Sequence, residues 1–225
     1  MSFLQCLPSS DCINSCKQFQ SVILDDVDLN DDNDVDHNIP SKLTSKYFSV
    51  KDIHNLDIRN NLNIFHSNVN GLESKFDDLH HFLSGTSLEF DFVAISETSQ
   101  QCDSYFINNV SLNGYTSFFT PTSTRKGGIA LYVKSLYKPF ERVDLKHQSE
   151  SCESVFVEIS NKRSKNVICG SIYRHPCNDT SDFLSYMEYI LKILASEDKY
   201  VFLCGDFYIN LLKSNESANN SRFMI

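Results

Sequence analysis

A short apolar run closed by glycine and aspartate, Tyr200-Val201-Phe202-Leu203-Cys204-Gly205-Asp206-Phe207, constrains this chain more than any other stretch. It opens after the polar break 196–199 and is too short for a helix, so it reads as a strand buried on both faces. Gly205 permits either a sharp turn or the close approach of another group, and Asp206 stands at the strand's carboxyl end. The same arrangement recurs three times. Asn68 follows the apolar stretch 62–67, Glu97 follows 90–96, and Tyr173 closes 167–173.

Strands of this kind need partners to cover them. Leu72, Phe76, Leu79 and Leu83 recur at helical spacing, predicting a helix that ends near Gly85, with Asn70 and Glu73 placed as a capping box. Phe183, Met187, Ile190, Leu191 and Leu194 predict a second helix, starting at Thr180 or Ser181. Residues 115–119 and 129–133 read as an antiparallel pair across the basic, glycine-ended connection 121–128. Residues 154–159 alternate and find their partner in 167–173 across the turn 161–165, whereas 98–113 read as a polar loop. Strands, two helices and hairpins in this order predict an α/β layered sandwich with mixed sheets.

The totals agree with one sizeable domain and a flank. Hydrophobic residues make up 41% of 225, with 17 Phe and 10 Tyr to fill a core. No apolar run approaches the length of a membrane span, and no charged segment leads into a signal-like apolar one, so neither membrane nor export is expected. The eight cysteines are then expected as thiols. Cys169 and Cys204 fall in apolar strands as core residues, and Cys6, Cys12 and Cys16 lack zinc-site spacing. A net charge of −9 argues against simple electrostatic binding of nucleic acid. The charge is uneven: residues 1–60 carry ten acidic and five basic side chains, while 121–170 carry nine basic and five acidic. Residues 1–54, with the Asp/Asn run 25–34, are expected to form an acidic, largely disordered leader. Residues 55–213 form the domain and 214–225 a polar tail.

Asn68, Glu97, Tyr173 and Asp206 all sit where ligand sites of α/β sheets gather, outside the carboxyl ends of strands. Singly, each fits a turn or packing role. Together they hold the parts of metal-assisted phosphodiester hydrolysis. A glutamate can hold a hard divalent cation, an aspartate can orient or deprotonate water, an asparagine can hold either in place, and a tyrosine can donate to a phosphate oxygen.

Five segments occur in an order and spacing that resemble a known superfamily. They are Ser67-Asn68-Val69-Asn70-Gly71-Leu72, Ile95-Ser96-Glu97-Thr98, Arg125-Lys126-Gly127-Gly128-Ile129-Ala130-Leu131-Tyr132-Val133, Ile172-Tyr173-Arg174-His175-Pro176 and Gly205-Asp206-Phe207. Over residues 55–213 the chain resembles the endonuclease/exonuclease/phosphatase superfamily, and within it the endonuclease domain of LINE-type (non-LTR) retrotransposons. The resemblance implies a four-layer α/β sandwich of the DNase I-like type, incomplete in its second half. It implies Mg2+ as cofactor, target DNA as partner, and a reverse transcriptase downstream. By position it makes Asn68, Glu97, Tyr173 and Asp206 catalytic, with Glu97 the magnesium-binding residue. It places Arg174 and Asn178 at the nucleic-acid backbone, and a functional full-length element in the nucleus.

The chain departs from the family pattern in two places. Tyr208 stands where the family has an asparagine, putting a bulky ring beside the nucleophilic water. Ile225 comes before the family's later aspartate and its closing Ser-Asp-His motif, and His66, His147 and His175 do not match that histidine's context. The expectation is a weak or inactive endonuclease fragment. Two other readings stand beside it. One is a non-catalytic remnant binding nucleic acid or protein through Arg125, Lys126, Lys162, Arg163 and Lys165; the other is a phosphatase or phosphodiesterase acting on an inositol phosphate or sphingolipid.

Overall fold

The computed structural model describes residues 2–5, 19–23, 44–48 and 62–208, without 87, 100–102, 123–125, 163 and 177–179. Three short strands come first: β1 (Ser2–Gln5), β2 (Phe19–Ile23) and β3 (Thr44–Phe48). They fall within the expected leader, so that segment is not featureless. β2 and β3 pair antiparallel, and β1 adds in parallel to the edge of the last strand, satisfying backbone groups an open edge would leave unpaired. The acidic run 25–34, the cysteines at 6, 12 and 16, and the tail 214–225 lie outside the described residues.

The body begins with β4 (Ile64–Asn68), helix α1 (Leu72–Gly85) and β5 (Phe92–Ser96). A short helix α2 (Ser104–Asn109) precedes the hairpin of β6 (Tyr115–Thr120) and β7 (Ile129–Lys134). Next come β8 (Phe140–Glu141), β9 (His147–Gln148), β10 (Cys152–Ile159) and β11 (Val167–Arg174). Helix α3 (Thr180–Ser196) and β12 (Tyr200–Asp206) close the described part. Among the described residues no helix is long and apolar enough to cross a membrane.

Two sheets carry the architecture. One has the order β4-β5-β7-β6 and the other β1-β12-β11-β10-β8, with β9 also on β10. β4 and β5 run parallel across α1, and β11 and β12 run parallel across α3. Each crossover therefore brings two strand ends to the same edge of its sheet. The inner faces meet in a core of Phe92, Ala94, Leu131 and Val133 against Val155, Val157, Cys169 and Cys204. Leu72 and Leu79 of α1 and Phe106 of α2 cover the outer face of the first sheet, packing on Val93, Ile95 and Tyr132. Phe183, Met187, Ile190 and Leu194 of α3 cover the second, on Phe156, Ile168, Ile172 and Leu203. This is the expected layered α/β sandwich: two sheets face to face with helices outside.

Three local expectations change. The stretch read as a polar loop contains α2, whose six residues bury only Phe106 and are nucleated by Asp103, which accepts the Phe106 N–H at 2.8 Å. The alternating 154–159 strand is buried on both faces, so its polar residues point into the protein; Ser154 Oγ meets Tyr186 Oη at 2.6 Å under α3. The capping box at α1 does not form. Gly71 caps it in left-handed conformation with no side-chain bond, and Glu73 instead accepts from Asn109 Nδ2 at 3.1 Å.

Candidate functional site

The missing cap of α1 is replaced by the loop that carries Glu97. Gly71 N–H donates to Glu97 O at 2.8 Å and Leu72 N–H to Thr98 O at 3.1 Å, so backbone donors at the helix start are satisfied by the chain leaving β5. That chain bends hard. Glu97 has φ +56° and Ser99 +58°, a left-handed backbone that non-glycine residues adopt only where surrounding bonds hold them. The holding bonds are Thr98 N–H to Gly128 O at 3.2 Å and Ser99 N–H to Gly127 O at 2.8 Å.

On the second sheet, Tyr173 and Asp206 are register partners at the ends of parallel β11 and β12. Gly205, one residue earlier, has φ +149° and lies against the backbone of Ile172; a Cβ there would run into the Ile172 carbonyl. Of the two roles open to this glycine in the sequence, close approach is the one realised.

The four strand ends then converge. Asn68 Nδ2 donates one hydrogen to Glu97 Oε1 at 2.7 Å and the other to Asp206 Oδ2 at 3.0 Å. Its Oδ1 accepts the Asn70 N–H at 3.2 Å, which fixes the amide with its donors toward the carboxylates. Tyr173 Oη donates to the same Glu97 Oε1 at 3.0 Å, and Tyr208 Oη adds a third donor at 2.9 Å. Asp206 Oδ1 accepts the Tyr208 N–H at 3.4 Å. Glu97 is 5% exposed and Asp206 fully buried, and among the described residues every hydrogen-bond partner of either carboxylate is neutral. Burial accordingly pushes the Asp206 carboxyl up to about 6, against the lowering effect of the Asn68 and Tyr208 bonds.

Glu97 Oε1 is saturated by three donors, while Oε2 has no protein partner among the described residues. Among those residues no group of three or more His, Cys, Asp or Glu forms a cage. A hard divalent ion that keeps most of its waters does not need one: one or two carboxylates suffice. The donor set of Glu97 Oε2 beside a second buried carboxylate fits such an ion.

The remaining expected residues do not join the cluster. Arg174 turns inward, 5% exposed, and its guanidinium donates to Phe207 O at 2.7 Å and to the carbonyls of His175 and Tyr208 at 3.3 Å. It clamps the loop after β12 instead of presenting itself to a ligand. Asn178 lies outside the described residues. The basic residues do not make one patch. Lys126 follows β6 at the edge where Glu97 sits, whereas Lys162 and Lys165 sit in the β10–β11 turn, a strand length of roughly 20 Å away. Arg125 and Arg163 are outside the described residues. His66 is buried against Ser96 Oγ at 2.8 Å with its ring pushed down to about 4 by burial, and His147 stacks on Tyr186.

Two participants were not legible as such. Tyr208 was expected beside the water, not with its hydroxyl on Glu97; its φ of +48° swings the ring back over the site, and nothing in the sequence announces that angle. Glu153 of β10, fully buried, accepts the Gly128 N–H; its carboxylate between Cys152 and Ser154 at the start of an apolar strand is the one signal that could have marked it.

Several solved structures share this fold at low identity. The endonuclease domain of TRAS1, a telomere-specific non-LTR retrotransposon, superimposes with a TM-score of 0.50 at 12% identity, covering 72% of this chain and 68% of that one. The AP endonuclease LMAP from Leishmania major gives 0.55 at 15%, covering 72% and 64%. The 3′ phosphatase NExo from Neisseria, solved with a product DNA hairpin, gives 0.52 at 14%, covering 72% and 68%. The chain thus spans about two thirds of the length of these structures. No curated protein sequence matches it. Residues 63–215, which hold all four converging side chains and most of the two packed sheets, match the Endonuclease/Exonuclease/phosphatase family, and the chain belongs to that family.

Proposed function

We propose that the strand-end cluster is the centre of a metal-dependent phosphodiesterase that nicks DNA, of the kind LINE-type retrotransposons carry ahead of their reverse transcriptase. The observation that carries this is the pair of buried carboxylates, Glu97 and Asp206, bridged by the Asn68 amide and matched by no cation among their hydrogen-bond partners. Burying two carboxylates so close together is costly unless a positive ligand completes the site. Glu97 offers Oε2 to that ligand, which we take to be magnesium. When bound, it would polarise the phosphoryl oxygen and stabilise the charge of the transition state. Asp206, held by the Asn68 amide and the Tyr208 N–H, would take a proton from the attacking water. Asn68 fixes the spacing of the carboxylates, and Tyr173 holds Glu97 in orientation.

The retrotransposon branch rests on the sequence segments around Asn68, Gly127-Gly128 and Tyr173-Arg174-His175-Pro176, supported by the fold shared with TRAS1. A full-length element would supply the reverse transcriptase and act in the nucleus. The Tyr208 hydroxyl on Glu97 argues that this chain nicks weakly or not at all, because an extra donor there competes with the cation for the carboxylate's charge.

The test is nicking of supercoiled plasmid in magnesium. The chain as it stands should give little or none. Tyr208→Asn on a chain extended by the C-terminal segment of a related endonuclease should give nicks that Glu97→Gln abolishes. Robust nicking by the unmodified chain overturns the weak-activity part; an extended Tyr208→Asn protein that binds DNA but never cuts it overturns the nuclease reading. Salt-sensitive retardation without cutting would favour a binding remnant instead.

A further inference from the structure

Glu97 owes its backbone conformation to a turn on the neighbouring strand, and that turn is held from the opposite sheet. Gly127 and Gly128, with φ of +126° and +82°, lend their carbonyls to Ser99 and Thr98. Glu153, on β10 in the second sheet and 0% exposed, reaches across and accepts the Gly128 N–H at Oε2, 2.5 Å away. Thr122 Oγ1 donates to Lys126 O at 3.2 Å and steadies the approach to the turn. The fit leaves no room for side chains. A Cβ at Gly127 would stand 2.7 Å from His175 Cε1 and 2.8 Å from both Glu153 Oε2 and Thr122 Oγ1, and one at Gly128 would collide with Thr98 Oγ1.

A carboxylate at this depth is costly, and an apolar residue of similar volume would fill a strand position more cheaply. Its second oxygen, Oε1, lies 3.3 Å from His175 Nε2 without forming a hydrogen bond, so among the described residues the backbone N–H of Gly128 is the one hydrogen-bond partner of this carboxylate. The carboxylate thus sits where the two sheets meet, one hydrogen bond from the turn that holds Thr98 and Ser99, and an acceptor for that backbone donor has an effect that an apolar side chain lacks. Removing it frees the Gly127-Gly128 turn, then Thr98 and Ser99, and then the left-handed Glu97.

We propose that Glu153 is a positioning residue for Glu97: it locks the Gly127-Gly128 turn and through it keeps the Glu97 carboxylate aimed at Asn68 and Tyr173. The lock stands on geometry alone, and its functional consequence rests on the reading of Glu97 as the metal-binding residue. Two measurements separate these. Amide hydrogen exchange of Thr98 and Ser99 reports the lock with no metal present; Mn2+ titration followed by EPR reports the free oxygen of Glu97.

In Glu153→Ala, Thr98 and Ser99 should exchange about tenfold faster while Ala94 and Leu131, deep in the same sheet, keep their protection. The Mn2+ dissociation constant should rise about tenfold, the low end of the effect of outer-shell partners. Glu153→Gln, whose amide oxygen still accepts from Gly128, should recover most of both, leaving changes of about threefold. A folded Glu153→Ala chain with exchange and Mn2+ affinity unchanged overturns the proposal. If that variant does not fold, Glu153→Gln decides: parental values in both measurements overturn it, and a change in both supports it. A parent chain that binds no Mn2+ while Glu153→Ala still exposes Thr98 and Ser99 supports the lock and overturns only the metal role of Glu97.

Discussion

The two ends of the second sheet treat buried carboxylates in opposite ways. Where β11 and β12 begin, Glu158 is 4% exposed and meets Arg142 Nη1 at 2.9 Å and Lys199 Nζ at 2.8 Å. Glu197 joins through Arg142 at 2.6 Å and Lys199 at 2.6 Å, and Asp144 pairs with Arg142 from outside. The Arg142 bond draws Glu197 down to about 2. Where the same strands end, Glu97 and Asp206 have only neutral donors among the described residues, and burial draws Asp206 up to about 6. Arg174 is near enough to Asp206 to feel its charge, yet its guanidinium donates to backbone carbonyls. One end is complete as folded. Among the described residues the other end offers its carboxylates no cation as a hydrogen-bond partner, which is how the two ends of one scaffold differ.

The comparison breaks most sharply at Arg142. Arg142→Met removes the cation shared by three acids and leaves the buried Glu158 with Lys199 and the neutral Asn166 amide, so it should destabilise the fold by about 3 kcal/mol in urea unfolding. The opposite sign is expected at the other end. Asp206→Asn removes a buried charge and keeps the shape, so it should stabilise at pH 7 by about 1–2 kcal/mol. Because the folded-state pKa lies above the unfolded one, the wild-type cost is present above pH 6 and fades as pH falls toward 4. The gain from Asp206→Asn should fade over the same window. Equal stability of the two proteins at pH 5 and pH 8 would contradict this.

Glu197→Gln should cost about 1 kcal/mol at pH 7, discounted for its partial exposure. Here the folded pKa lies below the unfolded value, so the cost is present above about pH 4 and disappears as pH falls through 2. A carboxyl NMR titration placing Glu197 near 4 would remove the contrast between the two ends. The smallest effect is at Tyr208. Tyr208→Phe takes away one of three donors on Glu97 Oε1 and should tighten Mn2+ binding by about threefold, read by EPR. Weaker binding would make the hydroxyl a supporting group and not a competitor.

Much of the scaffold was legible because the residues that specify it are local and periodic. The runs ending at Asn68, Ser96, Tyr173 and Asp206 formed the predicted strands, and the apolar spacings of Leu72–Gly85 and Thr180–Ser196 formed the predicted helices. α2 escaped because six residues with one buried side chain give too short a pattern to see. The inward polar face of β10 escaped because alternation does not say what covers the second face; here α3 does, and Glu158 and Ser154 are buried beneath it or beside it.

The identities and order of four polar strand ends, and the Gly127-Gly128 pair beside them, could be read in the sequence alone. What only tertiary structure decided was direction: Tyr208 onto Glu97, Arg174 into the loop carbonyls, Glu153 under Gly128, and the basic turns to opposite ends. The reason is physical. Strand and helix patterns depend on neighbours a few residues apart, whereas the aim of a side chain at a strand end depends on positive-φ turns and on contacts between sheets that meet only after folding.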